Sequence, residues 1–186
     1  MGRGKLIVIS GASGVGKGTV LGKMMEKRKD LQFSVSATTR PPRPNEVDGV
    51  HYYFITKEQF RDMIAKGEFL EYDAHAANYY GTPRHQAEEK CRKGHVLLDI
   101  EPKGAAQVRK SDPDAVLIFI MPPSMQELER RLRGRGDTPE DQIALRMERA
   151  VWEMEQRGWY DYVVVNDDAD RCADEILHIL SELEEK

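Results

Sequence analysis

Two hydrophobic rhythms alternate along this chain, and each switch between them marks an element boundary. Lys5-Leu6-Ile7-Val8-Ile9-Ser10 is a near-continuous apolar run, the pattern of a parallel strand buried on both faces. After a glycine-rich turn, residues 19–29 take up a helical period, with Val20, Leu21, Met24 and Met25 predicted inward and Lys23, Glu26 and Lys27 outward. Strand-like runs return at Val96-Leu97-Leu98-Asp99-Ile100, at Ala115-Val116-Leu117-Ile118-Phe119-Ile120 and at Tyr162-Val163-Val164-Val165, each separated from the next by helical pattern. This alternation predicts an α/β fold, a parallel sheet with helices on both faces. Helix starts are marked by Thr82-Pro83 with proline in the first turn, by Ser124 with Glu127 three later, and by Thr138-Pro139 with Asp141 three later.

Residues 34–82 break the rhythm. Pro41, Pro42, Pro44 and Gly49 interrupt it, Tyr52-Tyr53-Phe54-Ile55 and Phe69-Leu70-Glu71-Tyr72 read as strands, and a helix over 56–66 starts at Thr56 with Gln59 three later. This predicts an inserted α+β lobe. Arg133-Gly134-Arg135-Gly136-Asp137 has two glycines and no apolar anchor, so it reads as a mobile lid ahead of a long helix running to about Gly158. A length of 186 residues suits one domain. Its core is expected over 1–33 and 83–186, with the insert over 34–82 and the lid over about 131–146.

Charge narrows the partners. Lys plus Arg number 28 and Asp plus Glu 32, a net −4, so no whole-molecule attraction to nucleic acid or an anionic membrane is expected. Any anion site must come from local clustering. Cys91 and Cys172 lie far apart without metal spacing, as free thiols of a reducing cytosol do. No stretch resembles a secretory signal or a membrane span, Leu6 stands where a myristoylation signal has Ser or Thr, and cytoplasmic residence is expected. The five histidines show no metal spacing, and no obligatory protein partner is evident.

Gly11-Ala12-Ser13-Gly14-Val15-Gly16-Lys17 fits G-x-x-x-x-G-K between a strand and a helix, a phosphate-binding P-loop. Its glycines let backbone N–H groups wrap phosphates, the following helix adds its positive N-terminal end, and Lys17 reaches the transferred phosphate. The usual hydroxyl after the lysine is displaced, since Gly18 comes first and Thr19 second. Direct Mg²⁺ ligation by the loop is therefore unassigned. ATP is the expected nucleotide, Mg²⁺ the expected ion.

Further motifs are Ser36-Ala37-Thr38-Thr39-Arg40-Pro41-Pro42-Arg43, Gly49-Val50-His51-Tyr52, Glu71, Asn78-Tyr79-Tyr80-Gly81-Thr82 and Asn166-Asp167-Asp168. In this order, from about residue 5 to 168, the chain resembles guanylate kinases. The resemblance implies transfer of a phosphoryl group from ATP to GMP, these motifs not distinguishing GMP from dGMP. It also implies that Ser36, Arg40, Arg43, Tyr52 and Tyr80 hold the GMP phosphate, that Glu71, Thr82 and Asp99 face guanine, and that Arg135 and Asn166 meet the ATP adenine. Family members commonly carry Gln before the Gly-Ala pair, where this chain has Pro102-Lys103-Gly104-Ala105.

The chemistry stands beside the analogy. Two arginines three apart offer planar donors to a dianion, and tyrosine hydroxyls add one each. A carboxylate accepts from guanine N1–H and N2–H₂, donors that adenine lacks. Asp99 and Glu101 lie two apart at a strand end, on one face, placed to orient Mg²⁺ waters or to touch guanine. Arg131, Arg133, Arg135, Arg146 and Arg149 crowd the lid and the helix after it. A phosphate oxygen attacks without a general base, so the reaction needs positive charge from Lys17, Arg40, Arg131, Arg146 and Mg²⁺. Two rival readings are a guanylate-kinase-like scaffold module that binds peptides, and a kinase acting on AMP, a pyrimidine monophosphate or a small hydroxyl acceptor. The intact loop and basic lid weigh against the first, and competing acceptors in one assay separate the second.

Overall fold

A computed structural model describes residues 4–75, 77–134 and 139–185. The chain divides into two compact units, Met1–Val8 with Leu31–Val116, and Ile9–Asp30 with Leu117–Lys186. Strands β1 (Leu6–Gly11), β2 (Gln32–Phe33), β7 (Val96–Asp99), β8 (Val116–Met121) and β9 (Tyr162–Val165) form one sheet in hydrogen-bonded order β2-β7-β1-β8-β9. The β2–β7 and β8–β9 pairs are parallel, and every residue of β1 is buried. This is the α/β architecture with a parallel sheet that the apolar runs predict.

In the first unit, β3 (Ala37–Thr38), β4 (Tyr53–Phe54), β5 (Phe69–His75) and β6 (Asn78–Pro83) form a second sheet, ordered β4-β3-β6-β5. Helix α2 (Lys57–Ala65) opens on a full capping box, Thr56 Oγ1 accepting from the Gln59 N–H and Gln59 Oε1 from the Thr56 N–H. The α2 residue Phe60 is fully buried and stacks on Phe69 at 4.3 Å and Tyr79 at 5.3 Å, with Ala37 completing the cluster. Helices α3 (Arg84–Cys91) and α4 (Pro102–Ser111) also belong to this unit.

The second unit holds α1 (Lys17–Lys27), α5 (Met125–Gly134), α6 (Glu140–Glu155), a 3-10 turn (Gln156–Trp159) and α7 (Ala169–Glu184). Helix α7 buries Cys172, Ala173, Ile176, Ile179 and Leu180 and packs on α1, which buries Val20, Leu21 and Met24. Both cysteines are free and buried.

Several boundaries differ from the sequence reading. Helix α1 begins at Lys17, two residues early, because Gly16 caps it in the left-handed conformation at φ 92° and already accepts from the Thr19 and Val20 N–H groups. Met25 is exposed, lying one helical step beyond the buried stripe of Val20, Leu21 and Met24. Pro83 is the N-cap of α3 and the end of β6, so it precedes the first turn. Pro139 caps α6, Thr138 falls outside the described residues, and the helix stops at Glu155. Of the expected lid over about 131–146, residues 131–134 close α5, residues 140–146 open α6, and 135–138 with Arg135 lie outside the described residues. Strand β4 is shorter than the aromatic run, and β5 runs on to His75 because β6, whose polar-aromatic sequence gave no alternation, pairs with it antiparallel. Truncating Phe60→Ala should lower stability by about 3–5 kcal/mol, measured by urea unfolding.

Candidate active site

The loop between β1 and α1 is shaped by close backbone approaches. A Cβ at Gly11 would lie 2.8 Å from the Ile120 carbonyl oxygen, and one at Gly14 (φ +86°) 2.5 Å from Leu132 Cδ2. At Gly16 it would meet Asn166 Nδ2 at 2.9 Å. A side chain at Gly11 would press on backbone, and at Gly14 and Gly16 the positive φ strains any side chain whatever the space. Ala12 and Val15 are buried, while Ser13 and Lys17 are half-buried and Gly18 and Thr19 exposed. Lys17 is the first residue of α1.

Three side chains brace this loop. Asn166 Nδ2 donates to the Val15 carbonyl at 2.8 Å, and Arg131 Nη1 donates to the same oxygen at 3.1 Å. Arg131 also reaches the Asn166 carbonyl through Nη2 at 3.0 Å and Glu127 Oε1 through Nε at 2.8 Å. Glu153, 2 % exposed, accepts the Ser13 N–H at 2.7 Å and Arg149 Nε at 3.0 Å. Arg130 and Arg131 hold the Glu127 carboxyl down to about 2. Glu127 is read from the sequence only as the residue three after Ser124, and its pairing with Arg131, like the role of Glu153, escapes that reading. Their signal was carboxylates spaced four residues from Arg131 and Arg149 on helices.

Arg146 is half-buried on α6. Arg133 is an exposed ion-pairing residue, engaged with Glu129 and Glu140 across the end of α5. It belongs to a solvated helix face.

The first unit gathers the other predicted residues. Arg40 donates through Nη1 and Nη2 to Glu46 at 2.6 and 2.7 Å, and its guanidinium carbon lies 5.0 Å from the Tyr52 ring centre and 5.7 Å from that of Phe54. Tyr52 and Tyr80 meet edge to face at 6.2 Å. Burial first, then the charge of Asp99, raises the Tyr52 hydroxyl above its ordinary value, against the pull of Arg40. Ser36 is half-buried just before β3, and its carbonyl accepts the Tyr53 N–H. The Arg43 side chain is exposed, while its backbone N–H donates to Glu46.

Glu71 and Thr82 face each other across the β5–β6 pair. Glu71 is 5 % exposed, and Thr82 Oγ1 donates to its Oε1 at 2.6 Å. Its other oxygen lies against α4, where a Cβ on Gly104 would sit 2.4 Å from Oε2. Burial, with smaller help from Asp73 and Glu101, pushes the Glu71 carboxyl up to about 7, although the Thr82 hydroxyl and N–H oppose the shift. Asp99 ends β7, and both it and Glu101 are exposed. Glu101 has left the strand to become the N-cap of α4, so the expected strand-face pair is one strand residue and one cap.

Among the described residues, no group of three or more His, Cys, Asp or Glu is placed to hold a metal ion. No helix among them is long and apolar enough to cross a membrane.

With this geometry in view, the chain was compared with known proteins. The profile described as "Guanylate kinase" matches residues 3–183. A guanylate kinase of Nostoc sp. is 51 % identical over 166 residues, 89 % of this chain and 83 % of the relative. One of Prochlorococcus marinus is 48 % identical over 177 residues, 95 % of this chain and 96 % of the relative. The crystal structure of guanylate kinase from Anaplasma phagocytophilum superposes with a TM-score of 0.79 at 35 % identity, over 99 % of this chain and 88 % of that one. By its loop, its second sheet and these likenesses over nearly its whole length, the chain belongs to the guanylate kinase family.

Proposed function

We propose that this chain binds ATP at the loop of residues 11–19 and GMP at the four-stranded sheet, and moves the γ-phosphoryl group from ATP to GMP, giving ADP and GDP. The observation that carries the acceptor assignment is the buried Glu71 carboxylate, hydrogen-bonded to Thr82 in the same unit that carries Arg40, Tyr52 and Tyr80. An ionised Glu71 accepts from guanine N1–H and N2–H₂. Adenine would leave it buried and unpaired, a large penalty for the wrong substrate. Arg40, Arg43, Ser36, Tyr52 and Tyr80 hold the phosphate end, with Asp99 and Glu101 at the rim.

An anionic oxygen of the GMP phosphate attacks the γ-phosphorus in line, and the bond from phosphorus to the β–γ bridging oxygen breaks. The electron pair leaves with ADP. No proton need be removed, so catalysis is positioning and charge. Lys17, at the start of α1, neutralises the migrating group. Three of the five Arg131 N–H groups are engaged, one each on Glu127, on the Val15 carbonyl of the loop and on the Asn166 carbonyl, which leaves two for phosphate oxygens. Arg146 adds charge from α6, and Asn166 acts first by fixing the loop.

The donor atoms suit Mg²⁺ carried mainly by nucleotide and water. Mg²⁺ keeps several waters and binds substrate phosphates, and the loop offers the exposed Thr19 hydroxyl. When bound, the ion withdraws charge from the β- and γ-phosphate oxygens. A place in purine nucleotide metabolism follows from this reaction.

Glu71→Gln should lower kcat/KM for GMP by about 10²–10³-fold while leaving KM for ATP nearly unchanged, read by coupled ADP release. Equal loss of both would remove Glu71 from the base site. KM for GMP should also rise as pH falls below about 7, where Glu71 takes up its proton, and Glu71→Gln should keep only the weaker dependence that protonation of the GMP phosphate at pH ~6 brings.

Because the folded-state value is raised, the native protein binds more protons than the unfolded chain between the ordinary glutamate range and about 7. Glu71 ionisation therefore costs stability at higher pH. Glu71→Gln should raise the melting temperature at pH 8, with the gain shrinking toward pH 5. Lys17→Ala should lower kcat by about 10²–10³-fold with GMP affinity retained, measured by single-turnover transfer and GMP titration.

A further inference from the structure

The stretch between β3 and β4 is organised around one carboxylate outside the residues assigned so far. Asn45 takes a left-handed conformation at φ 70°, and the turn returns Glu46 to the start of the segment, its N–H donating to the Arg43 carbonyl at 3.0 Å. Glu46 Oε2 then accepts from Arg40 Nη1 at 2.6 Å and from the Arg43 N–H at 2.7 Å, while Oε1 accepts from Arg40 Nη2 at 2.7 Å. Only 11 % of the Arg40 side chain and 17 % of the Glu46 side chain remain exposed. Arg40, and then the Arg43 N–H, hold the Glu46 carboxyl down to about 2, so it is ionised at any working pH.

The donor inventory shows what this pair leaves over. A guanidinium carries five N–H groups in a fixed fork. Nη1 spends its two on Glu46 and the Pro41 carbonyl, and Nη2 spends one on Glu46. The remaining two, on Nε and Nη2, share one edge of the plane at the spacing of two oxygens of one phosphate. The rings of Tyr52 and Phe54 against the guanidinium restrict the plane itself. A glutamate paired with Arg40 cancels its net charge, so it cannot serve to strengthen attraction for an anion. What it supplies is orientation.

We propose that Glu46 is a positioning residue for the acceptor: it occupies the Nη1–Nη2 end of Arg40, so that the Nε–Nη2 edge is the one presented to the GMP phosphate, and ties the Arg43 backbone to the same point. The inference rests on the reading of Arg40 as a phosphate ligand. It opposes a simpler alternative in which Glu46 is a stand-in anion displaced by phosphate, and the two predict opposite signs. Removing a stand-in tightens GMP binding, whereas removing a positioner weakens it.

The test is a double-mutant cycle on the full chain, with GMP affinity measured by calorimetric titration for Glu46→Gln, Arg40→Ala and the double variant. Melting temperature and KM for ATP serve as controls. Glu46→Gln should weaken GMP binding about tenfold when Arg40 is present, less than twofold in the Arg40→Ala background, and leave KM for ATP unchanged. Tighter GMP binding, no change, or the same loss in both backgrounds overturns the proposal. If Glu46→Gln does not fold, Glu46→Asp, charged but one methylene short, takes its place in the cycle with the same expected pattern. An Arg40→Ala variant that binds GMP normally overturns the phosphate-site reading as well. Loss in Arg40→Ala without loss in the Glu46 variant overturns the positioning role alone.

Discussion

A carboxylate taken out of water is costly, and in the first unit this cost is met at Glu71. It is met only in part: Thr82 satisfies one oxygen, while burial still pushes the group up to about 7. The group is therefore a carboxyl poised near neutrality, with acceptor capacity that Thr82 does not fill. In the proposed base site, guanine's two adjacent donors would restore what burial removed. The register of β5 against β6 sets Glu71 opposite Thr82, and the absence of a side chain at Gly104 leaves room for Oε2. Small-sheet pairing and one glycine in α4 thus fix where the Glu71 carboxylate sits.

The second unit solves a different problem, holding a glycine-rich loop in one shape. Backbone so rich in glycine loses much conformational entropy on ordering. The protein meets that cost with its own groups. Asn166 and Arg131 converge on the Val15 carbonyl, Glu153 takes the Ser13 N–H, and Leu132 fills the space that a side chain at Gly14 would need. A loop fixed in this way has less ordering left to do when a polyphosphate arrives, the benefit of a preorganised site. The Ser13 amide, one of the loop N–H groups, is held by the buried Glu153 carboxylate.

Arginine has a double use in both units. Arg40 is clamped by Glu46, and Arg131 shares Glu127 with Arg130, so each guanidinium is held in one orientation with spare N–H groups. Flexible cations would attract phosphate more strongly at long range but would lose more side-chain entropy on binding it. The clamps exchange raw charge for direction.

Much of this was legible in the chain alone. The apolar runs identified β1, β7, β8 and β9, the Thr56–Gln59 spacing identified the start of α2, and the strand-loop-helix context made the residues at 11–17 a phosphate loop. These signals are local, set by backbone hydrogen bonding and by which faces must be buried. Strand β6 stayed hidden because its pairing with β5, and not its own alternation, makes it a strand. The pairings of Glu46, Glu127 and Glu153 were also hidden. A glutamate on a loop or helix looks solvated until folding brings an arginine or a backbone N–H against it. The glycines at 11, 14 and 16 showed where the backbone must be free. That Ile120, Leu132 and Asn166 crowd them was decided by tertiary packing, since those partners lie more than a hundred residues away and only the folded chain brings them within a few ångströms.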